Sequence, residues 1–143
     1  MTSLPDAPNH TIALFGGTGR TGTHVLEQAL AAGHAVRMLA RRPDAVAAAS
    51  DHLVVVGGDV LDAAAVAETL TGADVVVSVF GQVKGSPPTL QTDGTRNIVA
   101  AMKDLGLSRI ITLSGGGLPS QEHDRPKTAD KIIRFLLQRI SPQ

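Results

Sequence analysis

Short apolar runs alternate with amphipathic runs along most of the chain, and each kind of run predicts one kind of element. Apolar runs rich in β-branched residues predict five strands, at residues 11–16, 35–40, 52–59, 74–81 and 109–117. The intervening segments predict helices at residues 22–34, 61–72, 90–106 and 127–139, and a short helix that Pro43 opens and that runs to Ser50. Gly33, Gly72 and Gly106 are the expected helix stops.

This strict alternation predicts an α/β fold, a Rossmann-type doubly wound parallel sheet of about five strands with helices on both faces. The first three strands form one βαβαβ half, and the last two begin a second half whose final strand is absent from the sequence. We therefore expect a single domain over residues 11–143, truncated at its C-terminus. Residues 1–10, with Pro5 and Pro8, are expected to be a flexible lead-in.

Composition narrows the classes of function. Lys and Arg number 13 and Asp and Glu number 13, so the charge excess typical of nucleic-acid binding is missing. No apolar run approaches the roughly 20 residues that a membrane span needs. The chain has no Cys, and its five His show no metal-ligand spacing. These features predict a cytoplasmic protein that binds neither nucleic acid, membrane nor metal.

Four glycines fall within residues 16–22, between the first strand and the first helix. They fit both the G-x-G-x-x-G register and the related G-x-x-G-x-x-G register. In this setting the first glycine permits a tight turn, Gly19 allows close approach of a pyrophosphate, and Gly22 lets helix and strand pack closely. The segment therefore predicts a dinucleotide site at a helix N-terminus, and a turn without ligand is the alternative.

The end of the second strand indicates which dinucleotide is bound. NAD-binding sites usually place an Asp or Glu there, whereas this chain has Arg41 and Arg42. Guanidinium groups suit a 2′-phosphate, and Arg20 could add a third cation. The pattern favours NADP(H) over NAD(H). The alternative is that both arginines belong to a solvated loop, with Asp44 close by.

Four segments carry a resemblance to a known family: "IALFGGTGRTG", "VVVGGDVLDAAAV", "PPTLQTDGTRNIVAAMK" and "IITLSGGG". In these segments the chain resembles the atypical short-chain dehydrogenase/reductases of the NAD(P)H-binding type, most of all their biliverdin reductase B and flavin reductase members, and it is also similar to NmrA-like proteins. The resemblance implies that Asp59 and Val60 lie near the adenine and Phe80 and Gly81 along the ribose side. It also implies that Ser114 is the active-site serine beside the nicotinamide. Asp59 could instead be a turn residue, and Ser114 could simply satisfy a strand end.

The residues expected to bind the coenzyme come from the glycine loop and from the ends of the second, third and fourth strands. They are Gly16, Gly17, Thr18, Gly19, Arg20, Thr21, Gly22, Arg41, Arg42, Asp59, Val60, Phe80 and Gly81.

The absence of Tyr limits the chemistry that this polypeptide can perform. Without Tyr the chain has no Tyr-x-x-x-Lys acid/base pair, so alcohol oxidation at a tyrosine is excluded. We expect an NADPH-dependent reductase that transfers hydride to a flavin, a quinone or a tetrapyrrole-like acceptor, with Ser114 orienting the acceptor. The alternative is a non-catalytic NADP(H)-binding, redox-sensing module of the NmrA-like type.

The C-terminal segment departs from the family, whose members continue through another strand and a substrate-covering region. The apolar stripe on residues 132–140 predicts burial, either in a missing part of the fold or against a second copy in a homo-oligomer.

Overall fold

The computed structural model describes residues 9–113, and within them the predicted alternation of strands and helices is confirmed. The strands are β1 (Thr11–Phe15), β2 (Ala35–Ala40), β3 (Leu53–Gly57), β4 (Val75–Ser78) and β5 (Ile110–Thr112). The helices are α1 (Arg20–Ala31), α2 (Ala63–Leu70) and α3 (Leu90–Leu105). The predicted helix at 127–139 and its apolar stripe lie outside the described residues.

All the described strands pair in parallel, in the order β3-β2-β1-β4-β5. This is a Rossmann-type α/β sheet, as the sequence predicts. Ile12 at the centre lies opposite Val36 of β2 and Val75 of β4. The chain winds outwards from β1 in one direction through β2 and β3, and in the other through β4 and β5. The winding therefore reverses between β1 and β4, and a crevice forms at such a reversal, beyond the carboxyl ends of the strands.

Successive residues of each strand point to opposite faces, and both faces are covered by helices. Ile12 and Leu14 belong to a buried cluster with Leu26 of α1. Ala13 and Phe15 belong to a second cluster, which contains Val66 of α2 together with Ile98, Ala101 and Met102 of α3. The near-continuous apolar sequence of β1 follows from this burial on both faces.

Local chemistry sets the helix ends. The Asp62 carboxylate caps α2, because its Oδ1 accepts the Ala64 backbone N–H at 2.9 Å. At the end of α3, Gly106 adopts φ +72°, the left-handed conformation that lets the chain leave a helix. Within the described residues, no helix is both long and apolar enough to cross a membrane.

Several predicted boundaries differ from those in the structure. Strand β4 ends at Ser78 rather than at Gly81, and α2 spans Ala63–Leu70 rather than residues 61–72. The helix expected from Pro43 to Ser50 is only a single 3₁₀ turn, Pro43–Ala45, and none of its residues is buried. Alanines alone do not hold a segment this short in a helix when it has no apolar face to pack. The first helix begins at Arg20 rather than at Gly22, because Gly19 already serves as its N-cap.

Arg37 of β2 ties the sheet to the C-terminal end of α2. Its Nη2 donates to the Glu68 carbonyl oxygen at 2.8 Å, and its Nε donates to the Thr69 carbonyl oxygen at 3.2 Å. These carbonyls lie in the last turn of α2, where helices leave acceptors unpaired and where the helix dipole favours a cation.

We expect Arg37→Met to lower the free energy of unfolding by about 1–2 kcal/mol, since two charge-assisted hydrogen bonds are lost. Urea denaturation measures the change. Arg109→Met is the matched control, because the exposed Arg109 side chain forms no hydrogen bond or ion pair with other described residues. Equal losses in the two variants would show that the contacts of Arg37 do not stabilise the fold.

Candidate functional site

The exits of β1 and β4 meet through their backbones at Gly16. The Val79 N–H donates to the Phe15 carbonyl oxygen at 2.9 Å, so the two strands remain paired up to this point. Gly16 has φ +86°, and a Cβ on it would lie 2.5 Å from the Phe80 nitrogen and 2.8 Å from the Val79 carbonyl carbon. Glycine is therefore required here, because φ is positive and because there is no space for a Cβ. The turn leaves β1 at the mouth of the crevice.

The turn delivers the chain into the N-terminus of α1. The Gly19 N–H donates to the Gly16 carbonyl oxygen at 3.0 Å and closes the turn. No side chain caps the helix, and its first turn contains no acidic residue. The Thr23 hydroxyl donates to the Gly19 carbonyl oxygen, so it does not occupy the amides of the first turn. Uncapped amides and the positive end of the helix dipole suit an anion, and a phosphate group in particular.

Gly17 and Gly22 lie where the turn packs against α1, β1 and β2. A Cβ on Gly22 would collide with the Gly16 carbonyl oxygen and lie 2.7 Å from the Gly17 Cα. A Cβ on Gly17 would collide with the Met38 side chain and lie 3.0 Å from Leu14 Cδ2. Their lack of side chains therefore lets α1 and β2 pack close to the turn.

A pocket lies over the carboxyl ends of β1, β2, β3 and β4. Eight of the predicted site residues line it: Gly16, Thr18, Gly19, Arg41, Asp59, Val60, Phe80 and Gly81. The other predicted coenzyme-binding residues do not line it: Gly17, Arg20, Thr21, Gly22 and Arg42. Of these, Arg20, Thr21 and Gly22 form the first turn of α1, and Arg42 is the exposed N-cap of the 3₁₀ turn. Ser114 lies outside the described residues.

Sequence reasoning missed part of the pocket wall. The residues missed are Phe15, Leu39, Ala40, Gly58, Val79, Val83, Ser86 and Leu90. Most of them end a strand, so their position at the carboxyl edge was a signal available from the sequence. The segment from Val83 to Leu90 had no such signal in the sequence. It lines the pocket because of the path that the loop after β4 takes.

Helix α3 supports the pocket wall from outside. Asn97 Nδ2 donates to the Val60 carbonyl oxygen at 3.0 Å, a contact between residues 37 positions apart. One turn earlier, a Cβ on Gly94 would lie 2.8 Å from Val60 Cγ1 and 3.0 Å from Phe80 Cζ. Gly94 thus leaves room for two side chains that line the pocket, and Asn97 fixes the backbone of one of them.

Asp59 has two roles in the geometry. Its Oδ1 accepts the Leu61 N–H at 2.9 Å, which is an Asx turn, and the residue also lines the pocket. The turn interpretation and the site interpretation are therefore compatible, because the turn holds the carboxylate at the pocket edge.

The arginines near the site remain without acidic partners among residues 9–113. The ion pairs there join His10 to Asp74, His24 to Glu27, and Arg96 to Asp93. Asp44 pairs with neither Arg41 nor Arg42, although it is close in sequence. Within the same range, no group of His, Asp and Glu side chains is arranged to hold a metal ion.

Comparison with known proteins agrees with this geometry. A family model described as NAD(P)H-binding matches residues 16–140. An uncharacterized protein of Mycobacterium tuberculosis is 37% identical over 112 residues, which cover 78% of this chain and 13% of that protein. Reductase pytE of Aspergillus terreus is 31% identical over an alignment of 160 positions, which covers 89% of this chain and 61% of that protein. The chain therefore spans less than two thirds of the length of either relative.

Solved structures of short-chain dehydrogenase/reductases share the fold at lower identity. A superfamily member from Agrobacterium tumefaciens with bound NAD has a TM-score of 0.66 at 22% identity, covering 92% of this chain and 43% of that one. A protein from Veillonella parvula in complex with NADP has a TM-score of 0.65 at 16% identity, covering 76% of this chain and 48% of that one.

We expect Gly22→Ala to weaken NADH and NADPH binding by about tenfold or more, roughly 1.4 kcal/mol, because the new methyl group displaces the turn at residues 16–17. Isothermal titration calorimetry measures both affinities. Gly106→Ala is the control: it strains a left-handed residue at the far end of α3 and costs about 1 kcal/mol of stability. Should both variants bind as tightly as the wild type, the turn is not part of the nucleotide site.

Proposed function

Because the chain belongs to the NAD(P)H-binding family, we propose that it holds the nicotinamide coenzyme of an NADPH-dependent reductase, with the coenzyme diphosphate on the turn at residues 16–22. The observation that carries the proposal is the close approach of the Gly16 backbone to the backbone of Val79 and Phe80. The turn that begins at Gly16 leads directly to the uncapped N-terminus of α1. A side chain in this turn would fill the space that a diphosphate needs, and the amides supply the hydrogen-bond donors.

We propose NADP(H) as the coenzyme on the strength of Arg41. Arg41 lines the pocket at the end of β2 and has no carboxylate within 4.0 Å among the residues described. A guanidinium group at this position can bind a 2′-phosphate through two hydrogen bonds, whereas a carboxylate would select the free ribose hydroxyls. Solved proteins of this fold hold either coenzyme, so the choice rests on the side chains of this chain.

The proposed reaction is hydride transfer to a flavin, a quinone or a similar conjugated acceptor. NADPH supplies the hydride when bound, and this chain binds the coenzyme and shields one side of it with the apolar wall around Val79 and Phe80. The absence of Tyr means that the chain has no phenol to exchange a proton with an alcohol. An acceptor that takes its proton from solvent suits this composition. We propose that Ser114, two positions after the last residue of β5, donates a hydrogen bond to the acceptor.

We expect Arg41→Asp to shift the ratio of NADPH to NADH affinity by about 30-fold or more towards NADH, since a cation beside a phosphate becomes an anion. Calorimetric titration of both coenzymes gives the ratio. Arg109→Asp makes the same charge change just before β5, an edge strand separated from β2 by β1 and β4, and is expected to leave the ratio unchanged. Equal losses for the two coenzymes in Arg41→Asp would refute the NADP(H) assignment.

The reductase proposal is tested by following NADPH absorbance in the presence of FMN, riboflavin and a set of quinones. We expect oxidation with at least one of these acceptors, and a lower rate with unchanged NADPH affinity in Ser114→Ala. Tight NADPH binding without oxidation by any acceptor would favour the redox-sensing module instead. Reduction of NADP⁺ by simple secondary alcohols would contradict the assigned chemistry.

A further inference from the structure

The loop between β4 and α3 contains a turn at residues 83–86 that its own hydrogen bonds hold together. The Ser86 N–H donates to the Val83 carbonyl oxygen at 2.9 Å, and the Val83 N–H donates to the Ser86 hydroxyl at 3.1 Å. Before the turn, Gln82 Nε2 donates to the carbonyl oxygens of Pro87 and Pro88, at 3.0 and 2.8 Å. These bonds close the loop on itself, so the position of its tip is defined. Lys84 occupies that tip.

Lys84 and Arg41 border the same pocket, although they come from different strand exits. This second pocket is lined by Arg41, Asp59, Leu61, Lys84, Ser86 and Leu90, among others, and it adjoins the first through residues common to both. Arg41 follows β2 and Lys84 follows β4, so the two cations approach the pocket from different parts of the sheet edge.

Neither cation is neutralised by the protein residues that the structure describes. Arg41 and Lys84 have no carboxylate within 4.0 Å in that part of the chain. Asp59 lines the pocket too, but its Oδ1 is engaged by the Leu61 N–H. Asp93, at the start of α3, is bonded to Arg96, and hydrogen bonds from Thr89 and Arg96 lower the pKa of its carboxyl below the ordinary value. An anion in the pocket would therefore meet two cations that have no ion-pair partner among the described residues. The Asp59 carboxylate is the one acidic group of the described lining, so the positive charges exceed the negative ones.

We propose that Lys84 is a specificity-determining residue that binds the 2′-phosphate of NADP(H) together with Arg41. The inference rests on the proposed function. It adds Lys84, from the loop between β4 and α3, to the residues of the glycine turn and of the end of β2. A phosphate monoester carries up to two negative charges and three acceptor oxygens, which match a guanidinium fork and a compact ammonium group. NADH presents a hydroxyl at the same position, so Lys84 would contribute little to its binding.

The test compares three variants of the full chain by calorimetric titration with NADPH and with NADH. Lys84→Gln should weaken NADPH binding about five- to tenfold and NADH binding less than about twofold. Lys84→Arg keeps the charge and should retain most of the preference. Lys103→Gln is the matched control, because Lys103 lies in the last turn of α3, about 20 Å along the helix axis from Leu90 at the pocket. Raising the salt concentration should reduce the NADPH preference of the wild type more than that of Lys84→Gln.

Three results would overturn the proposal. Unchanged NADPH affinity in Lys84→Gln would show that the ammonium group does not reach the phosphate. Equal weakening of NADPH and NADH binding would show that Lys84 contacts a part of the coenzyme that both share, or that it affects the loop itself. In either case a selective loss of NADPH binding in Arg41→Asp would leave the proposed function standing. Wild-type protein that binds neither coenzyme would overturn the inference and the proposed function together.

Discussion

The contact between the backbones of β1 and β4 at Gly16 is the constraint on which the site depends. The two strands are paired at the point where the winding of the sheet reverses, so no side chain can separate their exits. The chain leaving β1 must turn away within three residues, and the turn ends at the N-cap of α1. The free amides of that helix therefore face the crevice as a consequence of sheet topology and not of a separate binding loop.

The rest of the pocket is held by contacts made behind its wall. Val60 and Phe80 come from different strand exits, and both pack against α3 where Gly94 provides space. The Asn97 amide then fixes the Val60 carbonyl oxygen. Because α3 also buries Ile98 and Met102 in the core on that face of the sheet, the wall is attached to one of the two buried clusters of the fold. The pocket and the core are therefore parts of one packing arrangement, and a change in either is expected to affect the other.

The sequence predicted those features that arise from local periodicity, and it failed where position depends on distant contacts. Strand β2 occupies Ala35–Ala40, as its apolar run predicted, and Gly106 ends α3 as the expected helix stop. The glycine loop was recognisable because its spacing and its strand–helix context occur within a dozen residues. The bond from Asn97 to Val60 spans 37 positions, and no spacing rule predicts it. The helix predicted from Pro43 is absent for a related reason. Burial decides whether so short a helix forms, and the alanines that follow Pro43 remain exposed.

Affinity for the diphosphate and choice of coenzyme are physically separate in this arrangement. The diphosphate site is built from amides and a helix dipole, which any nicotinamide coenzyme would use equally. The choice depends on side-chain charges at the outer edge of the pocket, on Arg41 and, in our proposal, on Lys84. Neither residue is buried or forms part of a core cluster, so these charges can change without disturbing the sheet. Exposed charges are also screened by salt, whereas backbone donors at a close-packed turn are much less affected. The ratio of NADPH to NADH affinity should therefore depend on ionic strength more steeply than the binding of the diphosphate that both coenzymes share.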